Sequence, residues 1–310
     1  MSWLLFVLLA TFLDVIRIFI DNYLSDTCFK GRLAVSQKTF AAFADIITAL
    51  IMLLAMGFSF VQTDPSIIFL IIFAGALYAL GGIPYYRALE IEESTNIGIF
   101  IQLAPILYLL LGWMFLGESF SLFQLIAIPV ILLAPIIIVA TTRKRSRKIK
   151  IRAVIYAFAY VLFAVIGNLI FVKANSIESN HLGFINEIAL FFLGKGISNS
   201  ALICFKPKWR KRFFEVAKKN KTKLLVPLSF SFVISVAKNI LYRAGLILAP
   251  SIALASATSD SAEPIIIFFL GVVLTLIWPK FGREKLNRKT ILVHLIATIL
   301  VVIGIVLLQI

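Results

Sequence analysis

Acidic residues are scarce in this chain, fifteen against thirty lysines and arginines in 310 positions, of which 61% are hydrophobic. Charged residues of both signs reach only 15%, too few to coat a soluble domain of this length. Cysteine and histidine occur twice each. Cys28 and Cys204 fit neither a disulfide framework nor a metal site, and both fall in loops expected to face the cytoplasm, where thiols stay reduced. His181 and His294 are too far apart for a zinc pattern, so no metal and no cofactor are expected. A Walker-type phosphate loop is missing, and no soluble stretch is long enough to hold one, which excludes ATP as a direct energy source. The net charge of +15 would suit nucleic acid. The bases, however, sit in short bursts between apolar runs, a distribution that favours lipid head groups, and no nucleic-acid partner is expected.

What the chain has in abundance is long apolar runs. Ten are near the 20 residues that span hydrocarbon: 2–20, 40–60, 67–87, 96–116, 121–141, 153–173, 181–205, 224–243, 250–278 and 290–309. All should be helices, because backbone groups in hydrocarbon need internal partners and the runs lack the strict alternation of barrel strands. The ninth is interrupted: Ser256 to Glu263 is polar and Pro264 removes a helix hydrogen bond, so a bend or unwound turn is expected there. The first run has no basic residue before it and contains Asp14 and Arg17, which reads as a retained helix rather than a cleaved signal.

Loop charge sets the orientation. The odd-numbered loops hold Lys30, Arg32 and Lys38; Arg87; seven bases from Arg143 to Arg152; nine from Lys206 to Lys223; and five from Lys280 to Lys289. The even-numbered loops hold Lys173 and Arg243, both at expected helix ends. Twenty-five against two puts the odd loops in the cytoplasm and both chain ends outside. The second and fourth loops carry no base, whereas the seventh and ninth carry nine and five. Such a reversal is what an odd number of helices per half produces, since the second copy is then turned over.

A pattern stated twice supports duplication. Tyr86-Arg87-Ala88, then Pro105 and Gly112, recurs as Tyr242-Arg243-Ala244, then Pro264 and Gly271, with seven residues from proline to glycine in both copies. An internal repeat in a chain this apolar points to a transporter. The segment from Tyr86-Arg87-Ala88-Leu89 through Pro105, Leu110-Leu111-Gly112-Trp113 and Phe115-Leu116-Gly117-Glu118 resembles the third-to-fourth helix signature of the drug/metabolite transporter superfamily, EamA branch. Gly167-Asn168 and Lys173 are similar to the family's sixth-helix end. The resemblance implies ten transmembrane helices as two inverted five-helix repeats around a central cavity, moving small metabolites by alternating access. On this reading residues 1–142 form the first repeat, 143–152 a basic cytoplasmic linker, and 153–310 the second repeat. Two features depart from the family pattern: Asp14-Val15-Ile16-Arg17 replaces a small-residue stretch, and Gly282-Arg283-Glu284 stretches a Gly-Glu pair. The resemblance also implies cytoplasmic ends, against the loop charges.

Charges left inside the spans are the candidates for chemistry, because each costs about 2.5 to 3.5 kcal/mol at mid-helix on insertion scales. Asp14 and Arg17 share a helix face, and two readings stand: an ion pair within the helix, or an Arg17 that meets an anionic substrate group. Asp45 has Arg17 as one conceivable partner. Glu187 and Lys195 are about two turns apart and should pair with neighbouring helices. In the ninth run, Asp260 and Glu263 lie three residues apart among Ser256, Thr258, Ser259 and Ser261, beside Pro264. The equivalent stretch before Pro105 is uncharged, so these acids break the symmetry between halves. Two close carboxylates raise each other's proton affinity, which would allow proton coupling; the plainer alternative is that they neutralise Lys238 and Arg243. Lys238 is the second candidate, a counter-ion of Asp260 or Glu263 released by a proton or a cationic substrate. Pro105 and Pro264 are expected helix breaks. Tyr78 and Gln102 are expected to line the cavity, on the resemblance; the remaining tyrosines read as packing or interface residues.

The seventh loop, Lys206 to Val216, spaces Trp209, Phe213 and Val216 helically among bases, as an interfacial helix on anionic lipid would; a solvated basic loop is the alternative. The expected protein is a multi-pass permease of the cell membrane with a small-molecule substrate such as an amino acid or organic cation, with protons or exchange as the drive. It is not expected to be an enzyme. An intramembrane lipid-handling protein or enzyme is the alternative, though nothing beyond Asp260 and Glu263 resembles a catalytic constellation. No dimer motif stands out.

Overall fold

The computed structural model describes residues 2–24, 33–56, 63–91, 100–101, 103–142, 150–177, 181–219, 221–277 and 288–307. Among them the chain forms eleven helices and no strand. These are α1 (Ser2–Leu24), α2 (Leu33–Met56), α3 (Pro65–Ile91), α4 (Ala104–Leu116), α5 (Leu122–Thr142), α6 (Ile151–Asn175), α7 (Phe184–Phe205), α8 (Pro207–Lys219), α9 (Lys221–Leu248), α10 (Ile252–Ile277) and α11 (Arg288–Leu307). Ten of them match the expected spans in order, and α8 is the additional helix in the seventh loop. Seven are long and apolar enough to cross a bilayer among the described residues. Leu54, Phe69, Leu122, Leu276 and Ile277 are exposed, a surface that only lipid satisfies. The protein is an all-α integral membrane protein.

Three boundaries depart from the sequence reading. Helix α2 starts at Leu33 rather than 40, so Lys38 is a buried helix residue and not a loop base. Helix α9 runs to Leu248, and Arg243 is therefore enclosed within it at 1% exposure instead of sitting at a helix end. Arg87, its counterpart in the repeated motif, is exposed near the end of α3. The expected unwinding at Pro264 does not occur: α10 is helical from Ile252 to Ile277. One missing N–H removes the helical donor of the Asp260 carbonyl, and the other backbone bonds of the helix keep it intact. Helices α3 and α9 likewise run through Pro84 and Pro227. Pro105 instead lies in the first turn of α4, where a proline N–H would have no helical partner anyway.

The chain divides into two compact units, each drawn from both halves of the sequence. The first comprises Met1–Phe19, Glu92–Val154 and Ile234–Ile310. In it α10 packs on α4, α5 and α11, with Ile265 of α10 and Ala297 and Val301 of α11 in one buried cluster, and α5 packs on α11. The second comprises Ile20–Ile91 and Ile155–Val233, with α7 against α2 and α3 and α8 against α2 and α7. Glycines set the closest of these approaches. A β-carbon on Gly75 of α3 would strike the Phe191 carbonyl, and one on Gly194 of α7 would strike that of Ile72. Helices in lipid attract mainly through such close packing.

Counted as the second, fourth and fifth spanning helices of each half, α2 meets α7, α4 meets α10, and α5 meets α11. Like packs on like in each of these three contacts. That is the arrangement a two-fold relation between copies generates.

Candidate functional site

Three of the charged candidates are tied together by ion pairs in the first unit, with two more beside them. Helix α1 presents Thr11, Asp14 and Arg17 at three-residue intervals, which puts them on one face. Arg17 donates from Nε to Asp14 Oδ1 at 2.7 Å, so the ion pair within the helix is the reading that holds. Asp14 Oδ2 meets Lys238 Nζ of α9 at 2.9 Å. The direct ion partner of Lys238 is thus Asp14, where Asp260 or Glu263 had been expected. Its ammonium also lies 5.9 Å from the Tyr242 ring centroid, within cation–π range.

Helix α10 supplies the acids. Asp260 accepts a hydrogen bond from Ser256 Oγ one turn earlier, at 3.0 Å. The next residue back, Ser259, pairs its hydroxyl with that of Thr11 at 2.9 Å, joining α10 to α1. Lys238 and Asp14 act electrostatically on Asp260, and Asp14, Asp260, Lys238 and Arg17 act on Glu263. Among the described residues no ion pair joins Asp260 or Glu263 to a base. Asp14 therefore engages both cations, while two further carboxylates stand nearby with a hydroxyl as the direct partner of one. Along α9, Arg243 donates from Nη1 to Asn239 Oδ1 at 2.7 Å, and Asn239 donates to the Ser235 carbonyl at 2.6 Å. A polar ladder at four-residue spacing follows.

The second unit holds a separate network. Lys195 of α7 pairs with Asp45 of α2 at 3.0 Å and lies 4.3 Å from the Phe192 ring centroid. Asp45 accepts a second bond from Asn199 Nδ2 at 3.0 Å, and Asn199 Oδ1 accepts from Lys38 Nζ at 3.1 Å. Lys38 also donates to the Ala79 carbonyl of α3. Asp45 thus pairs with Lys195 and not with Arg17. Glu187 accepts two bonds from Asn175 Nδ2, so these in-span charges do find neighbouring helices. Tyr78 stacks at a tilt on Phe191, with 5.7 Å between centroids, and belongs to this unit. Gln102 lies outside the described residues.

Thr11 carries no charge to mark it in the sequence, although it sits three residues before Asp14, and Ser259 stands out there only as one of the hydroxyls around Asp260 and Glu263. Lys38 and Asn199 had clearer signals: Lys38 is seven residues before Asp45, and Asn199 four after Lys195, spacings that share a helix face. No cluster of histidine, cysteine and acidic residues suited to a metal occurs among the described residues.

Polar networks on helices long and apolar enough to cross a bilayer define a multi-pass membrane protein. Residues 1–140 match the model of the EamA-like transporter family. A solved structure titled only "Crystal structure of protein" shares the fold with a TM-score of 0.65 at 14% identity, covering 99% of this chain and 98% of that one. Among curated proteins none matches the sequence.

Proposed function

We propose that the protein is a secondary carrier of a small polar metabolite bearing a positive charge, such as an amino acid or an organic cation, driven by protons or by exchange. The observation that carries this reading is the charge balance around α10. Asp14, Asp260 and Glu263 stand against the two bases Arg17 and Lys238, so the group holds one carboxylate more than its bases can match. Ionised carboxylates in an apolar surround are costly until a positive charge arrives, and a proton or a substrate ammonium supplies one. Lys238 then acts as the mobile counter-ion, moving between Asp14 and the α10 acids as the site fills and empties.

Duplication with inversion is the framework for this reading. It is supported by the twice-stated motif, by the like-with-like helix contacts, and by a family match that ends close to the proposed repeat boundary at 142. Helix α8 contributes a lipid contact: Phe213 is buried against Leu24, Leu224 and Leu228, while Lys208, Arg210, Lys211 and Lys218 are exposed. Those bases suit the anionic head groups of the inner leaflet.

The test begins with a thermal-shift screen of the purified chain against amino acids and small amines, since ligands of the native state raise apparent stability. Hits are then followed by counterflow of labelled compound in proteoliposomes. Saturable exchange without chemical change is expected, with Asp260→Asn and Glu263→Gln reducing it about tenfold or more while remaining folded. Chemical conversion of the compound would favour an intramembrane enzyme and overturn the carrier reading.

A further inference from the structure

Gly117 ends α4 in the left-handed region at φ 70°, a conformation glycine adopts without strain, and the reversal turns the next side chain back over its own helix. That side chain is Glu118. Its backbone N–H closes on the Gly112 carbonyl at 3.3 Å, and its Oε1 accepts the backbone N–H of Ile252, the first residue of α10, at 2.9 Å. Oε2 lies over Gly112, where any β-carbon would collide with it, and is buried without a hydrogen-bond partner. Two glycines and a glutamate thus serve one contact: Gly112 leaves the seat, Gly117 makes the turn, and Glu118 reaches a different helix. Ser251 already caps α10 from within, through its hydroxyl to the Leu254 N–H at 3.2 Å. Glu118 is a second cap, delivered from α4.

We propose that Glu118 is a positioning residue, a latch joining the end of α4 to the first turn of α10 and so fixing the helix that carries Ser256, Asp260 and Glu263. Only the importance of that placement for transport rests on the carrier reading; the latch itself does not. A carboxylate on the positive end of a helix is well matched, and its bond to an amide is of the stronger, charge-assisted kind. The unpartnered Oε2 works against this. Burial raises the proton affinity of Glu118 above that of an ordinary glutamate, with the Ile252 amide opposing the shift; no titratable side chain of α4, α5 or α10 acts on it among the described residues. The sign follows. The latched state holds a proton more tightly than an open, solvated Glu118, so acid favours the latch and higher pH favours its release. Once protonated, the group keeps a carbonyl oxygen to accept from Ile252 and loses the cost of a buried charge.

Amide hydrogen exchange on the full chain in detergent micelles or nanodiscs reads the latch without any substrate. The Ile252 amide is expected to be protected in the parent, with a protection factor, corrected for intrinsic rate, that falls as pH rises above the ordinary glutamate range. Glu118→Ala should speed its exchange by about tenfold or more, the loss expected for one charge-assisted bond. Glu118→Gln mimics the protonated group and should keep the protection while losing its pH dependence. Placement of α10 is read by a Thr11→Cys/Ser259→Cys pair with Cys28 and Cys204 replaced by serine; its cross-linking should fall severalfold when Glu118→Ala is added. Unchanged Ile252 protection in Glu118→Ala would overturn the proposal. If that variant does not fold, a pH profile in Glu118→Gln matching the parent's would overturn it instead. Failure of the carrier reading would leave these exchange results as they are, and failure here would leave counterflow intact.

Discussion

Asp14 holds two bases at once, and removing its carboxylate breaks both ion pairs and leaves Asp260 and Glu263 as the acids nearby. Asp14→Ala is therefore expected to cost about 2 to 3 kcal/mol, toward the low end for broken ion pairs because the three side chains keep between 15% and 26% exposure. Adding Lys238→Met should recover part of that loss, because one base deprived of its ion pair goes with it. Thermal unfolding of the purified chain in detergent checks both, and equal melting temperatures for the single and double variants would count against the shared carboxylate. The in-span charges themselves were legible in the sequence, since each stands out from an apolar run. Their partners were less so. A side chain's partner lies wherever helix packing brings another helix, which is why the sequence offers Asp45 only Arg17 as a conceivable partner while the structure gives it Lys195. An uncharged hydroxyl such as that of Thr11 leaves no trace in a composition scan at all.

Helices were the most legible level, because an apolar run of about 20 residues has few alternatives to a helix in lipid. Their ends were less legible. Helix α2 takes in Lys38 and α9 takes in Arg243 because buried acceptors on neighbouring turns or helices satisfy groups that a hydropathy scan assigns to water. Proline misled as a sign of unwinding: α10 stays helical through Pro264, and Pro105 sits in the first turn of α4. Glycine contacts between helices make a sharper prediction. Gly194 meets the backbone of α3, which has no rotamer to move aside, so Gly194→Ala should force α3 and α7 apart and cost about 1 to 3 kcal/mol. Gly183 has open space around the same position, so Gly183→Ala should strain no helix contact and cost only what the N-cap of α7 loses on exchanging glycine for alanine, about 1 kcal/mol or less, which makes it the control for unfolding measurements. The amphipathic α8 offers a second case. Phe213 is 6% exposed in its cluster, and Phe213→Ala should cost about 3 kcal/mol, whereas Lys211→Gln on the exposed side should leave stability unchanged and weaken retention of anionic lipid during purification.

At the scale of the whole molecule the all-α membrane class was legible in the apolar runs, while the loop charges and the repeated motif carry the proposed duplication. What no sequence pattern conveyed is that each compact unit takes helices from both halves, so that the boundary near residue 142 separates segments of the chain without separating units in space. Membrane topology tests this organisation directly. The linker 143–152 and helix α8 carry the two densest groups of bases, and the positive-inside rule places both in the cytoplasm even though they fall on non-equivalent loops of the two halves. With Cys28 and Cys204 replaced, Ser146→Cys and Ala217→Cys should therefore react with an impermeant thiol reagent from the same side. Ser119→Cys in the short link before α5 should react from the other, because α5 lies between it and Ser146. The proposed five-helix half predicts this pattern: an odd count would turn the second copy over and put the base-free fourth loop and the base-rich ninth loop at equivalent places on opposite faces. Labelling of Ser146→Cys and Ala217→Cys from opposite sides would require an odd number of crossings between them, and the duplicated, inverted plan would then fail along with the chamber it is meant to enclose.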